Sequence, residues 1–268
     1  MLESQCAYLR KSQKGILKNT VQMSQFETIT IVIPTYNEAE NLPILADRVF
    51  AMGISELTIL VVDDNSPDGS GQVADNLHQK YGDHLQVIHR QRKEGLGRAY
   101  IQGLDHALKE GASIVGMMDA DLSHPPEKLN EMLSALRDVD GVIGSRYVRG
   151  GGLDRDWPVW RKALSAFGNF YARTILNLPV KDATGGFKLW RRSALESIPF
   201  RESRSNGYVF QVEQAYLAKL AGLKMVEVPI YFAERKHGDS KMSFKIQKEA
   251  ALQVWKLRRQ YRDFPKQS

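Results

Sequence analysis

An α/β fold built on a mostly parallel sheet is what this 268-residue sequence predicts, and three observations predict it. Short β-branched runs alternate with helical patterns over about 120 residues, the signature of βαβ units. The runs are apolar on both faces, as expected for strands covered by helices. Polar clusters follow the first, second and fourth runs, at the carboxyl ends where such sheets bind ligands.

The elements follow in order. Residues 1–26 lack clear periodicity and read as a mobile leader. Thr28–Pro34, Leu57–Asp63, His84–His89 and Ser113–Asp119 read as buried strands, and Val142–Ser145 as a short fifth. Between them, Asn41–Met52, Ser70–Tyr81, Gly95–Lys109 and Pro125–Arg137 read as helices, the last with prolines in a first turn that tolerates them. The second half is less regular. Trp160, Ala163, Leu164, Phe167, Phe170, Tyr171, Thr174, Ile175 and Leu178 share one helical face, expected to pack into the core, with lipid as the alternative. A strand at Gly185–Trp190, a helix near Val209–Ala221, a strand at Leu223–Tyr231 and a helix from about Ser243 complete the chain. No linker divides the halves. The expected organisation is a leader (1–26), one domain over 27–260 ending in a basic amphipathic helix, and a tail (261–268).

Composition narrows the function classes. With 43% hydrophobic and 25% charged residues, the chain is neither disordered nor fibrous. Cys6 is the single cysteine, so internal disulfides and multi-cysteine zinc sites are excluded. No run approaches the roughly 18 apolar residues of a membrane span, and no apolar segment follows the early cations as a secretory signal requires. A cytoplasmic location is therefore expected. The net charge of +6 favours anionic partners. It is concentrated toward the C-terminus rather than interleaved with aromatics, and no nucleic-acid motif is present, so a nucleic-acid binder is disfavoured.

Five segments carry candidate chemistry. Asp119-Ala120-Asp121 ends a strand; two hard oxygen ligands suit Mg²⁺ or Mn²⁺, although a solvated, helix-capping turn has the same residues. Asp63–Gly69 can present a carboxylate to a ribose or base, or form a capped turn. Gly95-Leu96-Gly97-Arg98 opens a helix but matches neither phosphate-loop nor dinucleotide spacing. Arg146, Arg149, Arg155 and Arg161 flank a glycine run and suit phosphate recognition, or a solvated loop. Glu234–Lys241 concentrates cations of the kind a departing diphosphate needs, or is solvated surface. No Ser/His/Asp or Cys/His nucleophile motif is recognisable.

Read in order, IVIPTYNEAENL, VVDDNSPDG, GLGRAYIQGL, MDADLSHPPE, GSRYVRGG, DATGGFKLWRR, SNGYVFQVE and FAERKHGDSKMS resemble polyprenol-phosphate (dolichol-phosphate) mannosyltransferases, inverting GT-A glycosyltransferases of family 2. The match spans about residues 28–257, and eight motifs in register make it specific. The resemblance implies a Rossmann-like nucleotide-diphospho-sugar transferase fold and transfer of mannose from GDP-mannose to a polyprenyl monophosphate. It implies that Pro34, Tyr36, Glu38, Val62 and Asp64 hold the guanosine part. Asp119, Ala120 and Asp121 would form the metal and diphosphate motif, with both aspartates at Mg²⁺ or Mn²⁺. Arg146 would meet phosphate, and Arg235 and Lys241 would contact the donor and its leaving group. Arg161 is a further candidate for the acceptor phosphate. Members of the family often place a metal-binding Gln where this chain has Ser123, which leaves the third protein ligand open.

A lipid acceptor implies work at a membrane surface. The C-terminal helix offers Phe244, Ala251, Val254 and Trp255 beside Lys245, Lys248, Lys256, Arg258 and Arg259, either for that contact or for ordinary packing. Whether a membrane-anchoring partner exists is left open. The competing enzyme reading is the same fold with another donor such as UDP-glucose. A dead glycosyl-lipid binder is disfavoured by the intact aspartates.

Overall fold

The computed structural model describes residues 27–234 and 244–264, with side chains of the latter segment from 251 onward. Its main sheet has seven strands in the order β3-β2-β1-β4-β7-β5-β8. These are β1 (Ile29–Thr35), β2 (Leu57–Asp63), β3 (Leu85–His89), β4 (Ile114–Met117), β5 (Gly141–Ser145), β7 (Lys188–Arg191) and β8 (Met225–Pro229). All pairings are parallel except those of β7, which runs antiparallel between β4 and β5. The expected strand over Leu223–Tyr231 is split. After Pro229 and Ile230 the chain leaves the main sheet, and β9 (Tyr231–Phe232) pairs with β6 (Gly152–Leu153).

Helices cover both faces. Under one lie α1 (Asn41–Phe50), α2 (Ser70–Tyr81) and α4 (Leu129–Ala135), the last flanked by 3₁₀ turns where one continuous helix was expected. Their Leu42, Leu45, Val49, Leu77 and Met132 pack on Ile29, Ile31 and Ile59. On the other face α3 (Leu96–Lys109) sets Tyr100, Leu104 and Leu108 against Val32, Leu60 and Val62. It lies so close that a Cβ on Gly103 would come 2.3 Å from Val32 Cγ1. The same face carries α5 (Val159–Leu176), α6 (Arg192–Glu196), α7 (Gly207–Leu220) and α8 (Phe244–Gln260).

The apolar row of α5 overturns part of one expectation. Trp160, Phe167 and Phe170 do not pack into the core and are 64%, 64% and 62% exposed, whereas Tyr171, Ile175 and Leu178 of the same row do pack against it. The buried positions of the helix itself are Asn169, Ala172 and Leu176. Asn169 is held there because its amide donates to Lys181 O and its Oδ1 accepts from Ala183 N. Periodicity identifies residues that share a face; it does not say what that face meets. Helix α8 divides its apolar residues, burying Val254 and Leu257 and exposing Leu252 and Trp255.

Candidate active site

The carboxyl ends of β1, β2 and β4 meet around a cavity of about 530 Å³. Pro34, Tyr36, Glu38, Asp64, Asp119, Ala120, Asp121, Arg146 and Arg161, all singled out in the sequence, line it. Val62 does not: its side chain points into the α3 core beneath Gly103. Arg235 and Lys241 lie outside the described residues, as do the expected leader and the end of the tail.

Two carboxylates dominate the floor. Beyond β4 the chain turns sharply, with Leu122 held at φ 64°, a conformation rare for a branched side chain and costly unless its surroundings enforce it. The turn lets both Ser123 N–H and Ser123 Oγ donate to Asp121 Oδ1. The buried Ser123 hydroxyl therefore orients Asp121. Asp119 is fixed from two sides. Tyr100 OH donates to its Oδ1 at 2.9 Å, and its backbone N–H donates to His124 Nδ1 at 3.1 Å. Accepting at Nδ1 leaves the neutral imidazole proton on Nε2, 3.9 Å from Asp119 Oδ2. Burial keeps His124 neutral by lowering its pKa, against the pull of Asp119 and Asp121. Burial, followed by the Asp119 charge, raises the Tyr100 pKa well above its usual value, so the phenol remains a donor.

This floor fits a hard divalent cation. A Cβ on Gly186 would lie 3.1 Å from Asp119 Oδ2 and 3.1 Å from His124 Cε1, so glycine keeps the space beside the carboxylate open. Among the described residues no group of three or more His, Cys, Asp or Glu could hold a metal. Two carboxylates with oxygen from substrate and water match the habits of Mg²⁺ and Mn²⁺.

The loops beyond β1 and β2 are internally braced. Asp64 is buried, accepts from Gly95 N at 3.0 Å and Glu94 N at 3.2 Å, and pairs with Arg90. Gly97 N–H donates to Asn206 Oδ1 at 2.9 Å. The Gly95 and Gly97 amides thus hold Asp64 and Asn206 instead of standing free for phosphate. Asp63 and Asp68 follow the turn reading: they accept from the Ser66 and Ser70 hydroxyls, each at 2.6 Å. Above them Lys93 Nζ stands 3.4 Å from the centroid of the Tyr36 ring, a cation–π pair at the cavity wall.

The opposite wall carries the arginines, and neither is a bare cation. Arg146 grips Asp182 in a bidentate pair at 2.7 Å for each contact and donates to Thr184 Oγ1 at 2.7 Å. Burial opposes its charge, but the Asp182 carboxylate outweighs burial and raises the guanidinium pKa. Arg161, on α5, reaches Glu234 at 2.7 Å and lies 3.7 Å over the Trp157 ring. Arg149 and Arg155 are exposed and line no part of the cavity.

Sequence reasoning gave no role to Tyr100, His124, Asp182, Lys188 or Gln211. Lys188 sits on β7, fully buried, and donates to Gln211 O at 3.1 Å and Gln211 Oε1 at 2.6 Å. Burial pushes its pKa down to about 7. The available signal was polar residues inside apolar runs, as in GFKLW and VFQVE.

The braced loops, paired carboxylates and arginine wall lie at the carboxyl edge of a nucleotide-type sheet, the arrangement of a nucleotide-sugar transferase. Residues 30–198 match the family model described as glycosyl transferase family 2. The chain belongs to that family. It is 45% identical to polyprenol monophosphomannose synthase of Mycolicibacterium smegmatis, over 92% of this chain and 93% of that protein. It is 43% identical to undecaprenyl-phosphate mannosyltransferase of Micrococcus luteus, over 84% of this chain and 92% of that one. Solved structures share the fold. Mannosyl-3-phosphoglycerate synthase from Rubrobacter xylanophilus superposes with a TM-score of 0.63 at 21% identity, covering 90% of this chain and 76% of its own. Glucosyl-3-phosphoglycerate synthase from Mycobacterium tuberculosis, solved with Mn²⁺ and UDP, gives 0.62 at 17% identity over 89% and 81%. The architecture is GT-A, as the sequence predicted.

Proposed function

We propose that this chain transfers mannose from GDP-mannose to a polyprenyl monophosphate, with inversion, yielding polyprenyl β-mannosyl phosphate and GDP. The observation that carries the reading is a single cavity with Asp119 and Asp121 on its floor and Arg146 and Arg161 on the wall beside α5. The named activities of the mycobacterial and micrococcal relatives support the same substrate class.

The acceptor is its own nucleophile. A phosphate monoester, with a second pKa of about 6, is mostly dianionic at neutral pH. One of its oxygens bonds to C1 of the sugar, the C1–O bond to GDP breaks, and that electron pair leaves on the diphosphate. The site then has to align the partners and balance charge. Asp119 and Asp121 would hold Mg²⁺ or Mn²⁺, which supplies positive charge to the diphosphate. Tyr100, His124 and Ser123 keep those carboxylates in place. Pro34, Tyr36, Glu38 and Asp64 would face the guanosine. Arg146, made rigid by Asp182, and Arg161 would receive the acceptor phosphate, while Arg235 and Lys241 would steady the leaving GDP.

The acceptor's tail fixes the setting. Among the described residues no helix is long and apolar enough to cross a membrane. The exposed Trp160, Phe167 and Phe170 of α5 and Leu252 and Trp255 of α8 support a peripheral position at a membrane, and we place it on the cytoplasmic face. The test is transfer from labelled GDP-mannose to polyprenyl phosphate, with NMR assignment of the product anomer. A β-linked mannosyl phosphate is expected; retained α configuration would refute the single displacement.

A further inference from the structure

The reaction as proposed gives no task to the Lys188–Gln211 pair, although Gln211 belongs to the cavity wall. Lys188 is entirely buried on β7, and Gln211 is 2% exposed on α7. No carboxylate lies within ion-pair distance of Lys188 among the described residues. Its Nζ is used on one residue: it donates to the backbone oxygen and to the side-chain oxygen of Gln211.

That double contact settles which way the amide points. Nζ carries at least two N–H donors in either protonation state, and directing them at the backbone oxygen and Oε1 turns Nε2 away. An anionic ligand in the cavity reinforces the charged form, as Asp182 and Asp119 already do. Gln211 Nε2 is buried and has no hydrogen-bond partner among the described residues. Other donors on the same helix are paired: Gln214 Nε2 donates to Ser203 Oγ, and the neighbouring Glu213 accepts from Tyr261 OH and Ser205 N. The Gln214 Oε1 acceptor is left without a partner among the described residues, but only Gln211 belongs to the cavity wall. A buried donor left unmade is costly, and a wall residue with two spare N–H groups is completed by an acceptor from the ligand.

We infer that Gln211, oriented by Lys188, hydrogen-bonds a hydroxyl oxygen of the hexose being transferred and so helps determine which sugar is accepted. The inference rests on the nucleotide-sugar reading above. A neutral amide suits a hydroxyl, whereas the phosphates in the same cavity have guanidinium groups and a cation site to meet them. Sites built to hydrogen-bond a substrate hydroxyl reject the analogue lacking it, because their polar group is then stranded. In this arrangement Gln211 touches substrate and Lys188 is a positioning residue.

The experiment compares kcat/KM for GDP-mannose and its 2-, 3-, 4- and 6-deoxy analogues in wild type, Gln211→Met, Lys188→Met and Lys188→Arg. GDP binding in Mn²⁺ is measured by calorimetry for each. Wild-type turnover of GDP-mannose tests the donor reading by itself, so failure there is separate. Wild type should disfavour one deoxy analogue by about tenfold or more. Gln211→Met should lose that preference alone while binding GDP as before. Lys188→Met should weaken it, and Lys188→Arg should restore it. The inference is overturned if wild type penalises no deoxy sugar, if Gln211→Met keeps every ratio within twofold, or if its GDP affinity falls along with turnover.

Discussion

Helices α3 and α5 both border the cavity, yet their far sides meet opposite surroundings. At the start of α3, Leu96 and Ala99, with Gly95 just before the helix, line the cavity region, and Tyr100, Leu104 and Leu108 are locked against the sheet. On α5, Arg161, Leu164 and Ser165 line the cavity, while Trp160, Phe167 and Phe170 project away from the protein. The sequences give equal notice of an apolar face. What differs is the partner: α3 has β1 and β2 beneath it, whereas α5 buries only Asn169, Ala172 and Leu176 and sets Tyr171 and Ile175 at the margin of the core. One side of the site is therefore closed and rigid, and the other is bounded by a helix that offers aromatic side chains outward. This division suits a soluble donor entering on the braced side and a lipid phosphate entering beside α5.

The largest expected effect is on the shared floor. Asp121→Asn should lower turnover on the order of 10²–10³-fold, comparable to loss of one charge-stabilising group, with an unchanged unfolding midpoint. Full activity of this variant in excess EDTA contradicts the assignment. Arg235→Ala and Lys241→Ala should each cost on the order of 10²-fold at saturating donor. Unchanged turnover removes both from the chemical step.

The contrast between the helices is sharpened by stability. Leu104, fully buried on α3, should lose about 2–5 kcal/mol on replacement by Ala. Phe167, 64% exposed on α5, should change stability by no more than about 0.5 kcal/mol on replacement by Ser. Equal losses in denaturant titrations would break the comparison. Combined Trp160, Phe167 and Phe170→Ser substitutions should abolish sedimentation with anionic vesicles. Alanine at Lys256, Arg258 and Arg259 should weaken it in a salt-sensitive way, each cation being worth up to about 1 kcal/mol near an anionic surface.

A smaller effect lies in pH. Burial depresses the Lys188 pKa to about 7 in the fold. Between that value and the unfolded pKa of about 10.4, the unfolded chain holds a proton the native state releases, so this residue makes stability rise with pH. Denaturation midpoints at about pH 7 and about pH 9.5 should diverge between wild type and Lys188→Met in that sense. Parallel pH profiles would contradict the buried-amine account.

The sequence made the strand–helix alternation legible because apolar runs of strand length have few other uses in a globular domain. It also located the site, since turn residues cluster where strands end. Single side chains were less legible. Val62 and Asp64 are two residues apart in one motif, yet one packs beneath α3 and the other faces the cavity. Tyr100 and Asp119, like Lys188 and Gln211, come from separate elements and meet only in three dimensions. The outward face of α5 was hidden for a related reason: its pattern is the same whether core or lipid lies beyond it.

The most direct measurement of the central claim is a donor comparison. The protein is incubated with polyprenyl phosphate in membranes, a divalent cation, and radiolabelled GDP-mannose, UDP-glucose or UDP-N-acetylglucosamine, and the lipid is extracted. Label from GDP-mannose should enter the lipid phase in a cation-dependent way and at least tenfold faster than from either uridine donor. Preferential transfer from a UDP-sugar, or none from GDP-mannose, would contradict the account.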